Sequence, residues 1–224
     1  MSFRPCIVIP VYNHSGAIYR TVAALSVHAV PIYITDDGSD EATRVALQHV
    51  RAAFPDVRIS RLPLNQGKGA AVIDAMRRAA CDGHTHALQV DADAQHDAAD
   101  VPRFFAMARA QPEAIVSGKP VYDESVPRAR LYGRYITHFW VWVETLSFDI
   151  ADSLCGYRLY PLAAALALTE RVRVQTRMDF DADMIVRLHW RGVPVVNLPT
   201  RVTYPADGVS HFDLLRDNLR ISRT

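Results

Sequence analysis

The stretch HALQVDADAQHD, residues 86–97, is an apolar run that ends in two carboxylates, Asp91 and Asp93. Its start predicts a buried strand, and alternation along that strand puts both acidic side chains on one face. There their oxygens can share a divalent cation, Mg²⁺ or Mn²⁺, that keeps open positions for substrate phosphates. The competing reading is a solvated acidic turn that caps the next helix, and the stretch alone does not choose.

Outward from this stretch, short β-branched runs alternate with helix-like segments of about a dozen residues, the pattern of βαβ units and a largely parallel sheet. CIVIPVYN (6–13) predicts a first strand ending at Pro10, with Ser15 capping a helix that runs to about His28. PIYIT (31–35) and VRIS (57–60) predict strands, and Asp40 to Ala53 and Gly67 to Cys81 predict helices. Beyond the acidic pair come a helix from Ala99 to Ala110 and a strand at AIVSG (114–118). In open α/β sheets ligands bind outside the carboxyl ends of strands, so chemistry is sought there.

The second half loses the alternation. Residues 120–134 are rich in proline and charge, and YITHFWVWVETLSFDI (135–150) predicts an aromatic, partly buried or interfacial helix. Trp140 and Trp142 cannot both point the same way on a helix, so one of them faces outward. DSLCGYRLY (152–160) predicts a turn, Met178 to Trp190 a helix, and VPVVNLP (193–199) and TRVTYP (200–205) two short strands. DGVSHF (207–212) and an amphipathic DLLRDNLRI (213–221) close the sequence, which is expected to continue beyond residue 224. One domain over 1–224 is expected, with a regular half at about 1–119 and an irregular half at about 120–224.

Composition narrows the function classes. The 224 residues carry 25 basic and 24 acidic side chains, a net charge of +1, so no global field recruits nucleic acid. Half the residues are hydrophobic and 22% charged, which supplies a core and excludes disorder, collagen-like repeats and coiled coil. Cys6, Cys81 and Cys155 have neither zinc-site nor disulfide-framework spacing and are expected to be reduced thiols of a cytoplasmic protein. No apolar run reaches membrane-spanning length, and none near the start is long enough for a signal-peptide core.

Three further constellations carry chemistry. In ITDDGSDE (34–41), Asp36 and Asp37 can accept hydrogen bonds from a base or ribose, although Asp-Gly-Ser is also ordinary turn chemistry with Ser39 or Asp40 as a helix cap. In LNQGKGAA (64–71), Lys68 stands between Gly67 and Gly69 at a helix start, a place that favours anions, but it lacks the remaining residues of a P-loop. In MDFDADMIVRLHWRG (178–192), Asp179, Asp181 and Asp183 precede or open a helix. The helix dipole explains acids there, and so does the need to present a general base.

Together and in this order, IVIPVYN, TDDGSDE, LNQGKGAA and VDADAQHD resemble the nucleotide-sugar half of family 2 inverting glycosyltransferases with a GT-A fold. Within that family they look most like polyprenyl-phosphate sugar transferases of the dolichol-phosphate mannosyltransferase type. The resemblance implies that Pro10, Tyr12 and Asn13 line the base and ribose pocket, with Asp36 and Asp37 at the base and sugar. Asn13 stands where the family often has glutamate. It further implies that Asp91 and Asp93 hold Mg²⁺ or Mn²⁺, with Gln95 completing the coordination, and that Asp181 occupies the acidic base position. Phe180 stands where the family's first acidic residue would be. DSLCGYRLY resembles the D-x-x-S-G-F acceptor segment with Cys155 in place of serine. DGVSHF resembles the G-x-S-K segment near the diphosphate, with His211 in the lysine position. HWRG is not the Q-x-x-R-W of processive members, which implies transfer of a single sugar.

The expected activity is a metal-dependent, inverting transfer from a UDP- or GDP-linked sugar to a lipid-linked acceptor, with Lys68 or His211 assisting the leaving diphosphate. The nucleophile is either a hydroxyl deprotonated by Asp181 or a polyprenyl phosphate, for which Arg128, Arg130 and Arg134 form the natural clamp or else a solvated basic turn. The aromatic helix suits peripheral contact at the cytosolic face of a membrane or a groove for a polyprenyl chain, and packing against the sheet is the competing reading. Two other classes compete: a non-catalytic nucleotide-sugar binding module, and a D-x-D phosphotransferase. The latter pattern wants Thr or Val where Gln95 stands.

Overall fold

A computed structural model describes residues 2–121 and 128–202, with the backbone alone for residues 128–136. Four strands and the helices between them build the first half: β1 (Pro5–Val11), α1 (Ile18–Ser26), β2 (Ile32–Asp36), α2 (Glu41–Ala53), β3 (Arg58–Arg61), α3 (Lys68–Cys81) and β4 (His86–Gln89). A 3-10 turn over Ala98–Asp100 then leads into α4 (Val101–Ala110) and β5 (Ile115–Val121). The second half continues with α5 (Arg128–Thr145), β6 (Arg158–Pro161), α6 (Leu162–Arg171), α7 (Phe180–Trp190) and β7 (Val195–Arg201).

The strands form one sheet in the order β3-β2-β1-β4-β6-β5-β7. β1 to β4 are mutually parallel where they pair, β5 and β7 are parallel to each other, and β6 runs antiparallel to both its neighbours. The chain steps outward from β1 to β3, then returns to β1's other side as β4. The carboxyl ends of β1 and β4 therefore flank a topological switch point, where open α/β sheets bind ligands.

β1 is buried on both faces, as a central parallel strand must be. Cys6 and Val8 join the core beneath α3, α6 and α7, whereas Ile7, Ile9 and Val11 join the core beneath α1, α2 and α4. Pro10 sits in this central strand at no cost to the ladder. Val8 bonds toward β4, its carbonyl accepting from Val90 N–H, so alternation turns Pro10's nitrogen to the same side. The β1–β4 register ends at Val8↔Gln89, and no ladder bond is lost there.

The structure corrects several expectations. Ser15 does not cap α1: Ala17 is the N-cap without a side-chain bond, because the amides of Ala17 and Ile18 donate to the His14 carbonyl in a preceding turn. Asp40 caps α2 by accepting from Thr43 N–H at 2.9 Å. Where two strands were expected, at VPVVNLP and TRVTYP, the described residues form one, β7, over Val195–Arg201, and residues 203–205 lie outside the described ones. This strand continues through Pro199 because β7 is an edge and the Pro199 carbonyl faces outward to Arg103. DSLCGYRLY is a turn only in part, since β6 begins at Arg158, and α6 was not foreseen.

Candidate active site at the carboxyl end of the sheet

Insertion of β6 between β4 and β5 decides the geometry of the site. Its antiparallel register with β4 pairs Gln89 with Arg158, so the chain entering β6 runs back past the residues that follow β4. Gly156 arrives opposite Asp91 in this way. A Cβ on Gly156 would lie 2.5 Å from Asp91 Oδ2 and 2.6 Å from Lys68 Nζ, so only glycine fits.

Lys68 opens α3, and its ammonium lies 2.7 Å from both Asp91 Oδ1 and Asp181 Oδ2. Asp181, in the first turn of α7, accepts a second bond on Oδ1 from Gln89 Nε2 at 2.8 Å and is only 3% exposed. Both of its oxygens are thereby engaged within the protein. Burial works against the charge on Lys68, but Asp181 and Asp91 outweigh it and hold the ammonium protonated well above the ordinary lysine range. Burial likewise opposes the charge on Asp91, and Lys68 together with the nearby His96 overcomes it, leaving Asp91 an anion below the usual carboxylate range.

Asp93 stands two residues on, its Oδ1 accepting from Gln95 N–H across a turn in which Ala94 takes the left-handed conformation at φ 59°. Burial first, then the charge of Asp91, raise the Asp93 carboxyl above its ordinary range. The charge of Asp91 opposes ionisation of Asp93, and two carboxylates two residues apart offer the oxygen donors that a hard cation takes. Among the described residues no group of three or more His, Cys, Asp or Glu side chains is arranged to hold a metal. An ion on Asp91 and Asp93 therefore needs oxygens from outside this acid set, which a diphosphate can supply. Gln95 reaches Asp93 through its backbone amide, and its side chain bonds to none of the described residues.

The loop after β2 is knit to its neighbours. Asp36 is buried, pairs with Arg61 and accepts from Ser39 N–H at 2.9 Å. Asp37 accepts from Gln66 N–H at 2.7 Å, Gly67 N–H at 2.8 Å and Asn65 Nδ2 at 2.9 Å, tying the end of β2 to the start of α3. Burial nevertheless outweighs these donors and raises the Asp37 carboxyl above its ordinary range. Asn13, left-handed at φ 54°, clasps the same loop: its amide donates to Ser39 Oγ and its Oδ1 accepts from Asp40 N–H. Tyr12 beside it presents an exposed ring at the switch point.

The structure thus brings together Asp91, Asp93, Lys68 and Asp181, and sets Asp36, Asp37 and Asn13 in the adjoining loop. His211 lies outside the described residues. Arg128, Arg130 and Arg134 belong to the backbone of α5, and their side chains fall outside the described ones. Phe180, where an acid was expected, is fully buried, and its ring fills the space over Gly69, where a Cβ would come within 2.5 Å of it. Trp142 is half-buried and donates to the Ile150 carbonyl, so Trp140 is the outward-facing member of that pair. Sequence reasoning missed Gln89, Gly156 and Arg158. A glutamine and an arginine inside short apolar runs are the signal that could have found two of them.

The profile of the family described as Glycosyl transferase family 2 matches residues 6–164. The chain belongs to glycosyl transferase family 2. The family 2 match covers β1 to β6, with the D-x-D stretch and Gly156, and ends before Asp181. The chain is similar to the dolichyl-phosphate beta-glucosyltransferase ALG5C of Trichomonas vaginalis, 28% identical over 215 residues that cover 86% of this chain and 61% of the relative. It is also similar to the undecaprenyl-phosphate mannosyltransferase of Micrococcus luteus, 24% identical over 197 residues that cover 86% of this chain and 80% of the relative. Among solved structures, the mannosyltransferase PcManGT from Pyrobaculum calidifontis, in complex with GDP-Man and Mn²⁺, matches at TM-score 0.62 and 17% identity, over 92% of this chain and 58% of that one. S. aureus TarS 1-349 in complex with UDP-GlcNAc matches at TM-score 0.62 and 14% identity, over 99% of this chain and 65% of that one. These two likenesses show the fold, which is GT-A. The chain spans less than two thirds of the Trichomonas relative and of both solved chains.

Proposed function

We propose that this family 2 chain transfers a single sugar, with inversion, from a nucleotide diphosphate sugar to a polyprenyl phosphate. The observation that carries the reading is the engagement of both Asp181 oxygens by Lys68 and Gln89. A hydroxyl acceptor needs a carboxylate that can reach its proton, and Asp181, 3% exposed and bonded on both oxygens, presents little of itself to one. A phosphate acceptor is already anionic and needs none. Relatives named for dolichyl phosphate and undecaprenyl phosphate support the same choice.

In this reading Asp91 and Asp93 hold Mg²⁺ or Mn²⁺, as the donor set permits, and the bound ion neutralises charge that builds on the leaving diphosphate. Lys68 supplies a fixed cation at the same lip, held by two carboxylates so that no reorganisation is needed as charge develops. Tyr12, Asn13 and the Asp36–Asp37 loop border the space for the base and ribose. Arg128, Arg130 and Arg134 meet the lipid phosphate, and His211 the diphosphate. The half at about 1–119 serves the donor and the half at about 120–224 the acceptor.

Contact with a membrane surface fits this acceptor. Phe139, Trp140 and Val143 form an exposed apolar stripe at helical spacing on α5, and Leu146 and Phe148 extend it. Aromatic residues on a helix face suit the interface of a bilayer. Among the described residues no helix is long and apolar enough to cross a membrane, so the reading is peripheral contact at the cytosolic face.

A thermal-shift panel of nucleoside diphosphates and their sugars, with and without Mn²⁺, tests the donor half. A ligand at about 100 times its dissociation constant stabilises by about 2.7 kcal/mol. Stabilisation by uridine or guanosine diphosphates that needs Mn²⁺ is expected, and a flat panel counts against the reading.

A further inference from the structure

Arg158 leads the fully buried side chains in size, with 0% exposure, in the four-residue strand between β4 and β5. Its Nε donates to Ser117 Oγ at 3.2 Å. Nη1 donates to Tyr160 Oη at 3.2 Å and to the Asp181 carbonyl at 2.6 Å, while Nη2 faces the carbonyls of Ser153 at 3.3 Å and Asp152 at 3.5 Å. These five acceptors are all neutral, since burial pushes the Tyr160 phenol up to about 12 against the opposing charge of Arg158. Taking a guanidinium out of water costs several kcal/mol, and an apolar side chain of similar volume would fill such a position at less cost. What an apolar side chain cannot do is hold three carbonyls from two separate segments.

Those two segments are the ones that complete the site. Residues 152–153 lead into Gly156, which passes over Asp91 and Lys68, and residue 181 carries the carboxylate that holds Lys68. We propose that Arg158 is the positioning residue of the site, its fork fixing the 152–156 segment and the first turn of α7 as one body and so setting the Asp181–Lys68–Asp91 spacing. Arg158 touches neither donor nor acceptor, and it acts through these two segments. A lysine at this position keeps the charge but, with a single nitrogen, cannot span all five acceptors. The identity of the reaction rests on the proposed function; the geometry does not.

The test compares Arg158→Lys and Arg158→Met with the unaltered protein in three measurements: steady-state transfer kinetics on polyprenyl phosphate, thermal unfolding, and amide hydrogen exchange by peptide. For Arg158→Lys we expect a folded protein with a donor KM within about twofold of the original. Its kcat falls about 10- to 100-fold, the range that a misplacement near 1 Å costs. Peptides over 150–157 and 178–184 exchange faster, and those over β1 to β3 do not. Arg158→Met falls below Arg158→Lys in kcat. Should Arg158→Lys lose stability while its folded fraction turns over at the original rate with unaltered exchange, Arg158 is structural only and the proposal is overturned. If the unaltered protein forms no lipid-linked product, the transferase reading falls, and the exchange comparison still decides whether Arg158 fixes the two segments.

Discussion

Lys68 Nζ lies 2.7 Å from Asp181 Oδ2 across 113 residues of chain, and the same ammonium lies 2.7 Å from Asp91 Oδ1. One cation thereby fastens the start of α3 to the first turn of α7 and to the lip of β4. The three side chains retain 16%, 5% and 26% of their exposure, so solvent screens the arrangement only weakly. Lys68, Asp91 and Asp181 are a single electrostatic unit.

Removing the cation should therefore cost both stability and turnover. Lys68→Met leaves Asp91 and Asp181 facing each other without compensation. We expect a loss on the order of 3 kcal/mol in urea unfolding, as for a broken buried pair, and a fall in turnover of about 100-fold. Lys68→Arg keeps the charge but puts a planar fork where a compact ammonium sat between two carboxylates, and should regain more stability than turnover. A Lys68→Met protein with unaltered stability and rate contradicts the account.

The missing side chain at residue 156 makes a second prediction. Gly156→Ala places a methyl group 2.5 Å from Asp91 Oδ2, and that clash is relieved only by moving the carboxylate or the segment. Calorimetry with the nucleoside diphosphate and Mn²⁺ should show a roughly tenfold weaker affinity, about 1.4 kcal/mol. The D-x-D stretch was legible in the sequence because two carboxylates after an apolar run are a local pattern. The glycine's role was not, since it depends on β6 entering the sheet antiparallel and on the distant pairing of Gln89 with Arg158.

Asp181→Asn separates the two acceptor chemistries. The amide oxygen can still accept from Lys68, and its NH₂ can meet Gln89 Oε1, a buried atom now without a partner, once the Gln89 amide turns over. With a phosphate acceptor the variant should keep turnover within about tenfold. Loss of a general base would instead cost roughly 10²- to 10⁴-fold. Initial rates at saturating donor decide between them.

Stability should fall as pH drops below the ordinary histidine range. Burial lowers the pKa of His86, and its neutral ring is already satisfied: Nδ1 meets Thr85 Oγ1 at 2.9 Å and Nε2 meets the Pro112 carbonyl at 2.9 Å. The unfolded chain binds a proton near pH 6.5 that the folded chain refuses. Stability is thus full above that value and declines below it, by at most about 1.4 kcal/mol per pH unit for one proton. Burial also lowers His84, which adds to the slope. His86→Gln should flatten the dependence in unfolding measurements between pH 7 and 5.

Membrane contact is tested by Phe139→Ser with Trp140→Ser. Both rings are exposed, so folding should be unaffected. Sedimentation with anionic vesicles should fall, while transfer to a short, water-soluble polyprenyl phosphate is kept. Equal sedimentation of both proteins would return the stripe to ordinary surface.

The regular half of the fold was legible because βαβ alternation is local: each strand of β1 to β5 and each helix of α2 to α4 overlaps its sequence-based expectation. β6 and α6 escaped because Arg158 breaks the apolar run of its strand, and its burial makes sense only with partners from β5, α7 and the 152–153 turn. Phe180 was a departure in sequence terms and is a packing residue over Gly69 in the structure. Residue type and position alone could not reveal that Asp36 bonds within its own loop while Asp37 ties that loop to the start of α3.

The most direct measurement is mass analysis of the lipid fraction after incubating the protein with UDP- and GDP-sugars, Mn²⁺ and either a polyprenyl phosphate or the matching dephosphorylated polyprenol. The account predicts one sugar added to the polyprenyl phosphate, with formation abolished by chelation and no product on the alcohol. Product on the alcohol alone, or no lipid product from any donor while the nucleotide sugar still binds, would contradict it.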